Sequence, residues 1–450
     1  MDRQVKLGTR RAKAEPAGER AENPADPPRR RISRRDAVRW GVVGATTTAG
    51  FGTLAYLSVD EAATASPAEV FKHDAPDEAT WQRWKARGWV HEAAHYLTLG
   101  RNVQCRICPN ECLLEPGDRS RCRNKVAMEG KLFTMAYGNP CSLHVDPIEK
   151  KPLFHFRPGT RAFSLATSGC SLRCLNCQNW EISQKKPEEL KDARGEELRL
   201  GRGYSGPLGA RDLERASLFP EDVVWLAQRS GSQSIAYTYS EPTSYYEYMF
   251  ETAKRARAAG VKNVWVTNGY INPEPLEGLA AYLDAANVDL KSFSEEIYAE
   301  LNSGKLAPIL TALKLLKQRG VWFEVTNLVV PRYTDDLGMI GRMCDWLVSN
   351  LGPDYPVHFS RFHPKYELKR LSPTPIRTLV RAREIAKRAG LHHVYLGNVR
   401  GVKDAETTFC PSCGKPVVER SIYRVETVQV GPDGSCAHCG SPVAGVWSSS

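Results

Sequence analysis

The sequence has no excess of proline or glycine, and it has no dense basic charge beyond its first 35 residues. Its 29 prolines and 35 glycines among 450 residues are ordinary usage, which excludes a low-complexity chain and leaves most of it globular. The formal net charge is +11, but residues 1–35 hold eleven Lys or Arg against five Asp or Glu. More than half of the excess therefore lies in one polar tail whose composition predicts disorder. The rest of the charge is spread thinly, which argues against a nucleic-acid partner.

Cysteine is plentiful, but its pattern lacks the features of a secreted disulfide scaffold. Such scaffolds are small, whereas this chain has 450 residues and thirteen cysteines. Eleven of them fall into three groups, at 105/108/112/122, 170/174/177 and 410/413/436/439. This grouping favours metal sites over disulfides. Cys141 and Cys344 lie outside the groups, and Cys344 is predicted to be a buried helix residue.

The N-terminus has the three parts of an export signal. A pair of arginines at 34–35 lies in a basic region, residues 40–59 carry no charge, and Ala-Thr-Ala at 63–65 is a small-residue cleavage pattern. The arginine pair resembles a twin-arginine leader, and the uncharged stretch could instead be an uncleaved membrane anchor. The plainer alternative is an arginine-rich tail before an apolar helix. We predict an export leader or membrane tether over residues 1–66 and exclude it from the fold.

Residues 67–160 are predicted to form a helical and cysteine-rich region. The pattern over 67–100 is helical, which would put His91 and His95 on one helical face, either as metal ligands or as packed side chains. Four thiols follow, at Cys105, Cys108, Cys112 and Cys122. They would hold either zinc or a second iron–sulfur cluster, and their spacing does not decide between the two.

Residues 404–450 carry two cysteine pairs, each followed by a glycine. The four thiols are Cys410, Cys413, Cys436 and Cys439. Pairs of this kind, with glycine allowing the tight turn, are typical of a zinc ribbon. Four protein ligands would close the metal shell, so the module is predicted to be structural. A rubredoxin-like iron is the alternative for the same four sulfurs.

Residues 161–403 alternate between strand-like and helix-like segments. Apolar runs rich in β-branched and aromatic residues lie at 163–167, 235–239, 263–267, 287–290, 321–330 and 357–361. Helical patterns lie between most of them, and two of these end at Gly260 and Gly390. Such alternation predicts a parallel sheet. The predicted fold class is therefore α/β, a partial or full (β/α) barrel that lies between the cysteine-rich N-terminal segment and the zinc-ribbon-like module.

The segment 186–219 interrupts this alternation. It is charged and contains several glycines. A loop of this length is either a lid or a flexible insertion. Its composition favours the flexible insertion.

Polar residues follow each of the six predicted strands. They are Cys170, Cys174 and Cys177, then Ser240 to Thr243, Thr267 to Gly269, Asp289 with Lys291, Asn327, and His358 with Arg361 and His363. In a β/α barrel the loops after the strands form the active-site face. Each residue alone has an ordinary structural explanation, but together they predict one shared site.

The most compact cysteine group has three thiols rather than four. Cys170, Cys174 and Cys177 fit neither a two-plus-two zinc knuckle nor a disulfide framework. A structural metal site closes with four protein ligands, whereas a site that is one ligand short keeps a position open for chemistry. The group therefore points to a reactive metal centre.

An ordered series of motifs around this group resembles the radical S-adenosylmethionine (SAM) superfamily. The series is C-R-I-C-P-N-E-C, D-P-I-E-K-K-P-L-F-H-F-R-P-G, G-C-S-L-R-C-L-N-C-Q-N-W-E-I-S-Q, Y-T-Y-S-E-P-T, V-T-N-G-Y and V-D-L-K. The closer similarity is to the radical SAM enzyme of the AmmeMemoRadiSam system, which is related to the pyruvate formate-lyase activating enzymes. The resemblance runs from about residue 105 to the C-terminus, some three quarters of the chain.

The resemblance implies a cofactor pair. Three thiolates would bind three irons of a [4Fe–4S] cluster and leave the fourth iron to the amino and carboxylate groups of SAM. An electron from the cluster then cleaves SAM and releases a 5′-deoxyadenosyl radical, which abstracts hydrogen from the substrate. The residues implied at SAM are Tyr239, Ser240, Glu241, Thr267, Asn268, Asp289 and Lys291.

The implied partners are a low-potential electron donor and a substrate that the sequence does not identify. By analogy with the activating enzymes, that substrate is expected to be a protein or peptide. No catalytic side chain is assigned. One position departs from the family pattern, because Asn176 stands where an aromatic residue usually packs near the adenine of SAM.

Two other function classes compete with this interpretation. A non-enzymatic iron–sulfur electron carrier would account for the three thiols but not for the S-E-P and T-N-G motifs. A zinc-ribbon nucleic-acid binder would account for the basic charge, and it predicts salt-sensitive binding that survives removal of residues 1–66.

Overall fold

A computed structural model describes residues 69–202 and 209–448. The predicted leader over residues 1–66 therefore lies outside the described residues of the protein. Its strands are β1 (His91–Glu92), β2 (Tyr96–Leu99), β3 (Asn102–Cys105), β4 (Leu113–Leu114), β5 (Lys125–Met128), β6 (Lys131–Thr134), β7 (Ser142–Pro147), β8 (Arg161–Ala166), β9 (Leu198–Arg199), β10 (Ala216–Ser217), β11 (Ser234–Tyr237), β12 (Lys262–Thr267), β13 (Ala285–Asp289), β14 (Trp322–Val329), β15 (Val357–Arg361), β16 (Val394–Gly397), β17 (Thr408–Phe409), β18 (Pro416–Ser421) and β19 (Arg424–Val428). Its helices are α1 (Glu78–Ala86), α2 (Trp180–Ser183), α3 (Ala210–Arg215), α4 (Pro220–Arg229), α5 (Tyr246–Ala258), α6 (Pro273–Ala280), α7 (Glu295–Ile297), α8 (Ala307–Gln318), α9 (Leu337–Leu351) and α10 (Ile376–Arg388).

Eight strands form one large sheet in the order β16-β15-β14-β13-β12-β11-β8-β7. Neighbours from β8 to β16 run parallel, and β7 pairs antiparallel with β8. Within the described residues, β7 and β16 each pair on one side only. Of the two predicted forms, the sheet is therefore the partial barrel.

The six predicted strands are confirmed as β8 and β11 to β15. β11 and nearly all of β8, β13 and β14 are buried, which fits the apolar composition of parallel strands covered on both faces. The two edge strands, β7 and β16, are not among the strands predicted from the sequence. β7 has four partly or fully exposed residues in its first four positions, so its sequence lacks a continuous apolar run.

Helices cover the parallel strands and end where glycine allows it. α4 packs on β8 and β11, α5 on β12, α8 on β14, and α10 on β15 and β16. The predicted helix stops at Gly260 and Gly390 are confirmed, because both have positive φ values, +74° and +105°. Cys344 lies in α9 and is fully buried, as predicted. No helix among the described residues is long and apolar enough to cross a membrane.

Among the described residues, the prediction of one helical stretch over 67–100 is right only for α1 (Glu78–Ala86). Gly88 takes the left-handed conformation (φ +70°) and ends α1, after which β1 and β2 form. β1 pairs with β6, so His91 lies in a strand, where it stacks on Tyr137. His95 instead faces Glu274, with 3.5 Å between Nδ1 and Oε1. The two histidines therefore do not share a helical face.

The prediction of a flexible insertion over 186–219 is also wrong for the residues that the structure describes. β9 and β10 form a short parallel pair, and Leu200 and Ala216 are fully buried. The ammonium group of Lys191 is buried and donates to the carbonyl oxygens of Pro140 and Ala216. The charged composition hides a few apolar residues that suffice to pack the segment against the N-terminal region.

The C-terminal residues form a three-stranded sheet, β17-β18-β19, beside two cysteine turns. The backbone N–H of Gly414 donates to the carbonyl of Cys410, and that of Gly440 to Cys436, with φ near +70° at both glycines. The module is attached to the segment before β8, where Val446 donates to the carbonyl of His155 at 2.7 Å. This attachment brings the module to the large sheet.

Candidate functional site

The carboxyl ends of the parallel strands open into one cavity of about 990 Å3. Every residue predicted to hold the cluster or SAM lines it, namely Cys170, Cys174, Cys177, Tyr239, Ser240, Glu241, Thr267, Asn268, Asp289 and Lys291, and His358, Arg361 and His363 join them. Asn327 does not. Its neighbours Thr326 and Leu328 line the cavity, and strand alternation turns Asn327 to the other face, where it donates to the carbonyl of Leu290.

A glycine shapes the loop that carries the three thiols. Gly169 has φ +88°, and a Cβ atom there would lie 2.5 Å from the carbonyl oxygen of Cys122. The loop is held from the same side by Asn124, whose amide donates to the carbonyl of Ser168 at 2.7 Å. Asn110 likewise donates to the carbonyl of Ser171 at 2.7 Å. The loop after β8 is therefore positioned by the cysteine-rich N-terminal region.

Each of the three thiols has a polar neighbour. The amide nitrogen of Asn302 lies 3.2 Å from Sγ of Cys174, and that of Asn268 lies 3.7 Å from Sγ of Cys170. Sγ of Cys177 is 3.1 Å from the hydroxyl of Ser183. Hydrogen bonds to ligand sulfurs orient them and stabilise their thiolate form. These contacts suit sulfurs that carry negative charge toward a metal.

The buried thiols of Cys170 and Cys174 need a bound cation to become thiolates. Burial, and then the nearby Glu241 carboxylate, raise the pKa of Cys170 well above its ordinary value. Burial also raises the pKa of Cys174 to about 11. Bound iron would replace these protons. Three soft thiolates facing one cavity are a donor set that fits iron–sulfur ligation.

Glu241 acts inside the protein wall. Its Oε1 atom accepts from the Thr267 hydroxyl at 2.8 Å and from the Thr243 backbone N–H at 3.0 Å, and its Oε2 atom accepts from the Asn268 N–H at 2.8 Å. Burial raises the pKa of this carboxyl although the hydrogen bonds oppose it. Glu241 thus links the ends of β11 and β12. Its carboxylate oxygens, which already accept these hydrogen bonds, have little capacity left for further donors.

Tyr239 belongs to a buried polar cluster that the sequence did not predict. Its hydroxyl donates to Asp146, which also accepts from Lys151 at 2.6 Å. Burial lowers the pKa of Lys151 to about 8, while the hydrogen bonds from the lysines and Tyr239 overcome burial and hold the pKa of Asp146 below its ordinary value. Tyr239 itself has φ +64°, and its carbonyl accepts from Asn179. This cluster connects the D-P-I-E-K-K motif to the cavity.

Asp289 and Lys291 form an ion pair in the cavity wall, with 2.8 Å between Oδ2 and Nζ. Burial alone would lower the pKa of Lys291, but Asp289 and the Cys174 thiol outweigh it and hold the pKa above its ordinary value. Lys291 is therefore a fixed cation. On the neighbouring side, the hydroxyl of Ser240 donates to the carbonyl of Thr167 at 2.7 Å.

Asn176 lines the cavity and is buried. Its Oδ1 atom has no hydrogen-bond partner among the described residues. A buried amide oxygen without a partner is costly unless a bound molecule supplies a donor. The departure from the family pattern therefore coincides with an unsatisfied polar atom beside the cluster thiols.

Several cavity residues come from segments that the sequence did not bring to the site. Lys151 comes from before β8, and Asn398 and Arg400 follow the missed strand β16. Ile422 and Tyr423 come from the turn between β18 and β19 of the C-terminal module, and they are 51% and 42% exposed. The signal for β16 was the V-Y-L run after Gly390, but nothing local to the C-terminal turn indicates the cavity.

The other two cysteine groups differ in geometry. Among the described residues, the four C-terminal thiols form a group whose sulfurs all lie within 4.8 Å of one another. Sγ of Cys410 is 3.7 Å from that of Cys439, and Sγ of Cys413 is 3.9 Å from that of Cys436. With Zn–S bonds of about 2.3 Å, tetrahedral sulfurs lie roughly 3.8 Å apart. The C-terminal group fits one tetrahedral ion.

A family model for the radical SAM superfamily matches residues 164–344, which hold the three thiols and the ends of β8 and β11 to β14. The chain is also 41% identical over 356 residues to a curated protein of Methanocaldococcus jannaschii, "Uncharacterized protein MJ0808", with 79% of this chain and 99% of the relative covered. The chain belongs to the radical SAM superfamily. Membership implies a [4Fe–4S] cluster and SAM as cofactors of this radical SAM protein.

Solved structures also resemble this radical SAM protein. A domain of a pyruvate-formate lyase-activating enzyme from Bacteroides vulgatus is 16% identical, with 37% of this chain and 100% of that chain covered and a TM-score of 0.33. A radical SAM methyltransferase from Sphaerobacter thermophilus is 13% identical, with 58% and 71% covered and a TM-score of 0.41. Likenesses of this size say nothing about the substrate.

Proposed function

We propose that this radical SAM protein is an enzyme that cleaves SAM at a cluster held by Cys170, Cys174 and Cys177 and abstracts hydrogen from a protein or peptide substrate. The observation that carries the proposal is the convergence of these three thiols with the polar strand ends in one cavity. When bound, the [4Fe–4S] cluster and SAM supply a 5′-deoxyadenosyl radical. The protein positions the cluster and SAM and excludes water from the cavity.

Some side chains of the cavity position other residues, and others are placed to contact SAM directly. Glu241 has its oxygens engaged by protein donors, so its role is to position Thr267 and Asn268 for SAM. Lys291 and Asp289 present both charges in the cavity wall, which suits the carboxylate and ribose hydroxyls of SAM. Tyr239 is held by Asp146 and Lys151 at the same mouth, and it would lie along the methionine part of SAM.

The rim of the cavity supports a polypeptide as substrate. Its volume of about 990 Å3 is at the upper end of small-molecule sites, which leaves space beside SAM. Exposed apolar side chains of Ile376, Ile422 and Tyr423 lie at this rim with Arg361 and Arg400. Apolar residues interleaved with arginines are typical of surfaces that bind peptides.

The test is SAM cleavage by the full chain after anaerobic cluster reconstitution and reduction. We expect 5′-deoxyadenosine, measured by mass spectrometry, from the unsubstituted protein and none from Cys174→Ala. Cys344→Ala is the matched control, since Cys344 is buried in α9 away from the cavity, and it should keep the product. The protein and small-molecule fractions of an extract from cells grown in deuterated medium, supplied separately, would then show which fraction transfers deuterium to 5′-deoxyadenosine.

Two outcomes would contradict the proposal. If reduced, cluster-loaded protein binds no SAM, the cavity is not a SAM site. If the protein shows reversible one-electron redox chemistry and binds SAM without cleaving it, the alternative of an electron carrier is favoured. Deuterium transfer from the small-molecule fraction alone would retain the SAM chemistry and overturn the polypeptide substrate.

A further inference from the structure

Four cysteines of the N-terminal region come together although they are spread over two hairpins. Cys105 ends β3 and Cys112 directly precedes β4, and the N–H of Cys105 donates to the carbonyl of Cys112 at 3.0 Å. This closes a tight loop that carries Cys108. Cys122 comes from the turn before β5, where Sγ lies 3.1 Å from the hydroxyl of Ser120. Two separate turns therefore deliver four thiols to one place.

The four thiols are neighbours, and none forms a disulfide. Cys105, Cys112 and Cys122 are buried, and Cys108 is partly buried. Cys108 packs against the same core that buries Cys105 and Cys112. Single buried cysteines are ordinary core residues. Four of them together, on two neighbouring turns, are typical of a metal centre.

The spacing separates a single ion from a cluster. Within residues 69–202 and 209–448, the thiols that all meet within 4.8 Å are those of the C-terminal module, so no three of the N-terminal four do so. The same holds for Cys170, Cys174 and Cys177, which we propose to hold the [4Fe–4S] cluster. A single tetrahedral ion needs its sulfurs about 3.8 Å apart. In a cluster the thiolates bind different irons, so they lie further apart.

We infer that Cys105, Cys108, Cys112 and Cys122 bind a second iron–sulfur cluster. Because four protein sulfurs complete the usual ligand set, this cluster has no iron left open to SAM. It lies against the loop of the first cluster, since a Cβ atom on Gly169 would reach within 2.5 Å of the Cys122 carbonyl and Asn110 bonds Ser171. The inference concerns metal binding, and it stands whether or not the proposed SAM cleavage occurs.

The test is iron, acid-labile sulfide and zinc per chain in the full-length protein after anaerobic reconstitution. For two [4Fe–4S] clusters we expect about eight irons and eight sulfides, with about one zinc at the C-terminal thiols. Replacing Cys170, Cys174 and Cys177 together with serine should leave the N-terminal cluster, which means about two to four irons and matching sulfide. Cys344→Ser is the control and should match the unsubstituted protein.

The double substitution Cys108→Ser with Cys112→Ser gives the reciprocal result. It should lower iron by about two to four per chain, the size of the loss giving the cluster type, while zinc stays constant. If the triple serine variant of the first cluster holds no iron, the inference is overturned. It is also overturned if the N-terminal double variant loses about one zinc and no iron, because the group would then be a zinc site.

Discussion

At the scale of single residues, Gly169 combines two demands that no other amino acid meets. Its φ of +88° disfavours any side chain, and the space for a Cβ is filled by the Cys122 carbonyl and the Asn124 amide. Gly130 has a similar φ of +73° but open space around it. A comparison of substitutions at Gly169 and Gly130 therefore separates backbone strain from steric overlap.

We predict that Gly169→Ala destabilises the protein more than Gly130→Ala. Left-handed strain costs each variant about 1–2 kcal/mol, and overlap at Gly169 adds about 1–3 kcal/mol. Denaturant unfolding under anaerobic conditions measures the difference. Iron content should fall in Gly169→Ala alone, because its loop carries the cluster thiols. Equal losses of unfolding free energy in both variants would show that the loop adapts to a Cβ.

A second prediction concerns Asn176. If the family's usual aromatic contact with the adenine of SAM holds here, Asn176→Phe should bind SAM about 2- to 10-fold more tightly, the equivalent of roughly 0.5–1.5 kcal/mol. Equilibrium binding of SAM to cluster-loaded protein measures this change, and iron content should stay the same. Gln178→Phe is the control, since Gln178 also lines the cavity but follows the third thiol. Weaker binding in Asn176→Phe would mean that the amide itself contacts SAM.

At the scale of elements, the turn between β18 and β19 gives the C-terminal module a direct part in the cavity. Tyr423 is 42% exposed there and lines the rim, whereas Val428 of β19 is equally exposed but lies outside the cavity lining. The module's four thiols hold the sheet that presents this turn. The module that carries the four thiols therefore supplies part of the cavity rim.

We predict that Tyr423→Ser weakens substrate-coupled turnover without changing basal SAM cleavage. The ring is a large apolar surface at the rim, so its loss should reduce the stimulation of 5′-deoxyadenosine formation by cell extract by about tenfold. Mass spectrometry of the product with and without extract gives the two rates. Val428→Ser should leave both unchanged. If both variants lose stimulation equally, the module as a whole is responsible and the turn has no special part.

The elements also show what local sequence can predict. Strands buried on both faces have continuous apolar runs, so all six interior strands were found, whereas the part-exposed edge strand β7 was not. The N-terminal helix was extended too far because its apolar pattern continues past Gly88, although Gly88 ends α1 and the residues after it pair with β6. Residues 186–202 looked flexible because few of their side chains are apolar. Long-range packing decides such segments.

In the candidate site, too, local sequence predicts some residues and long-range packing decides the others. Cys170, Glu241 and Asp289 stand directly after strands, so a β/α pattern alone brings them to one face. Lys151 and Tyr423 reach the cavity from segments far away in sequence, and no local pattern predicts that approach. Asn327 shows the opposite error, because a shift of one residue along a strand turns a side chain to the other face.

At the scale of the whole molecule, the predicted leader and the chemistry make different demands. A twin-arginine leader would export the folded protein, while SAM and strong reductants are cytosolic. We predict that replacing the arginines at 34–35 with lysines abolishes export and leaves the protein in the soluble or inner-membrane fraction. Fractionation of a tagged full chain measures this, and its iron content should not change. An identical distribution of both forms would point to a tail without targeting function.

The position of Tyr423 has a consequence for the order in which the protein is made. The ribosome completes Cys177 long before it reaches the C-terminal module, so the three cluster thiols emerge while one wall of their cavity is still missing. An iron–sulfur assembly factor would then have open access to them from that side. Once Ile422 and Tyr423 are in place, they line the cavity and the same opening becomes narrower. Cluster loading during synthesis would therefore precede completion of the cavity wall.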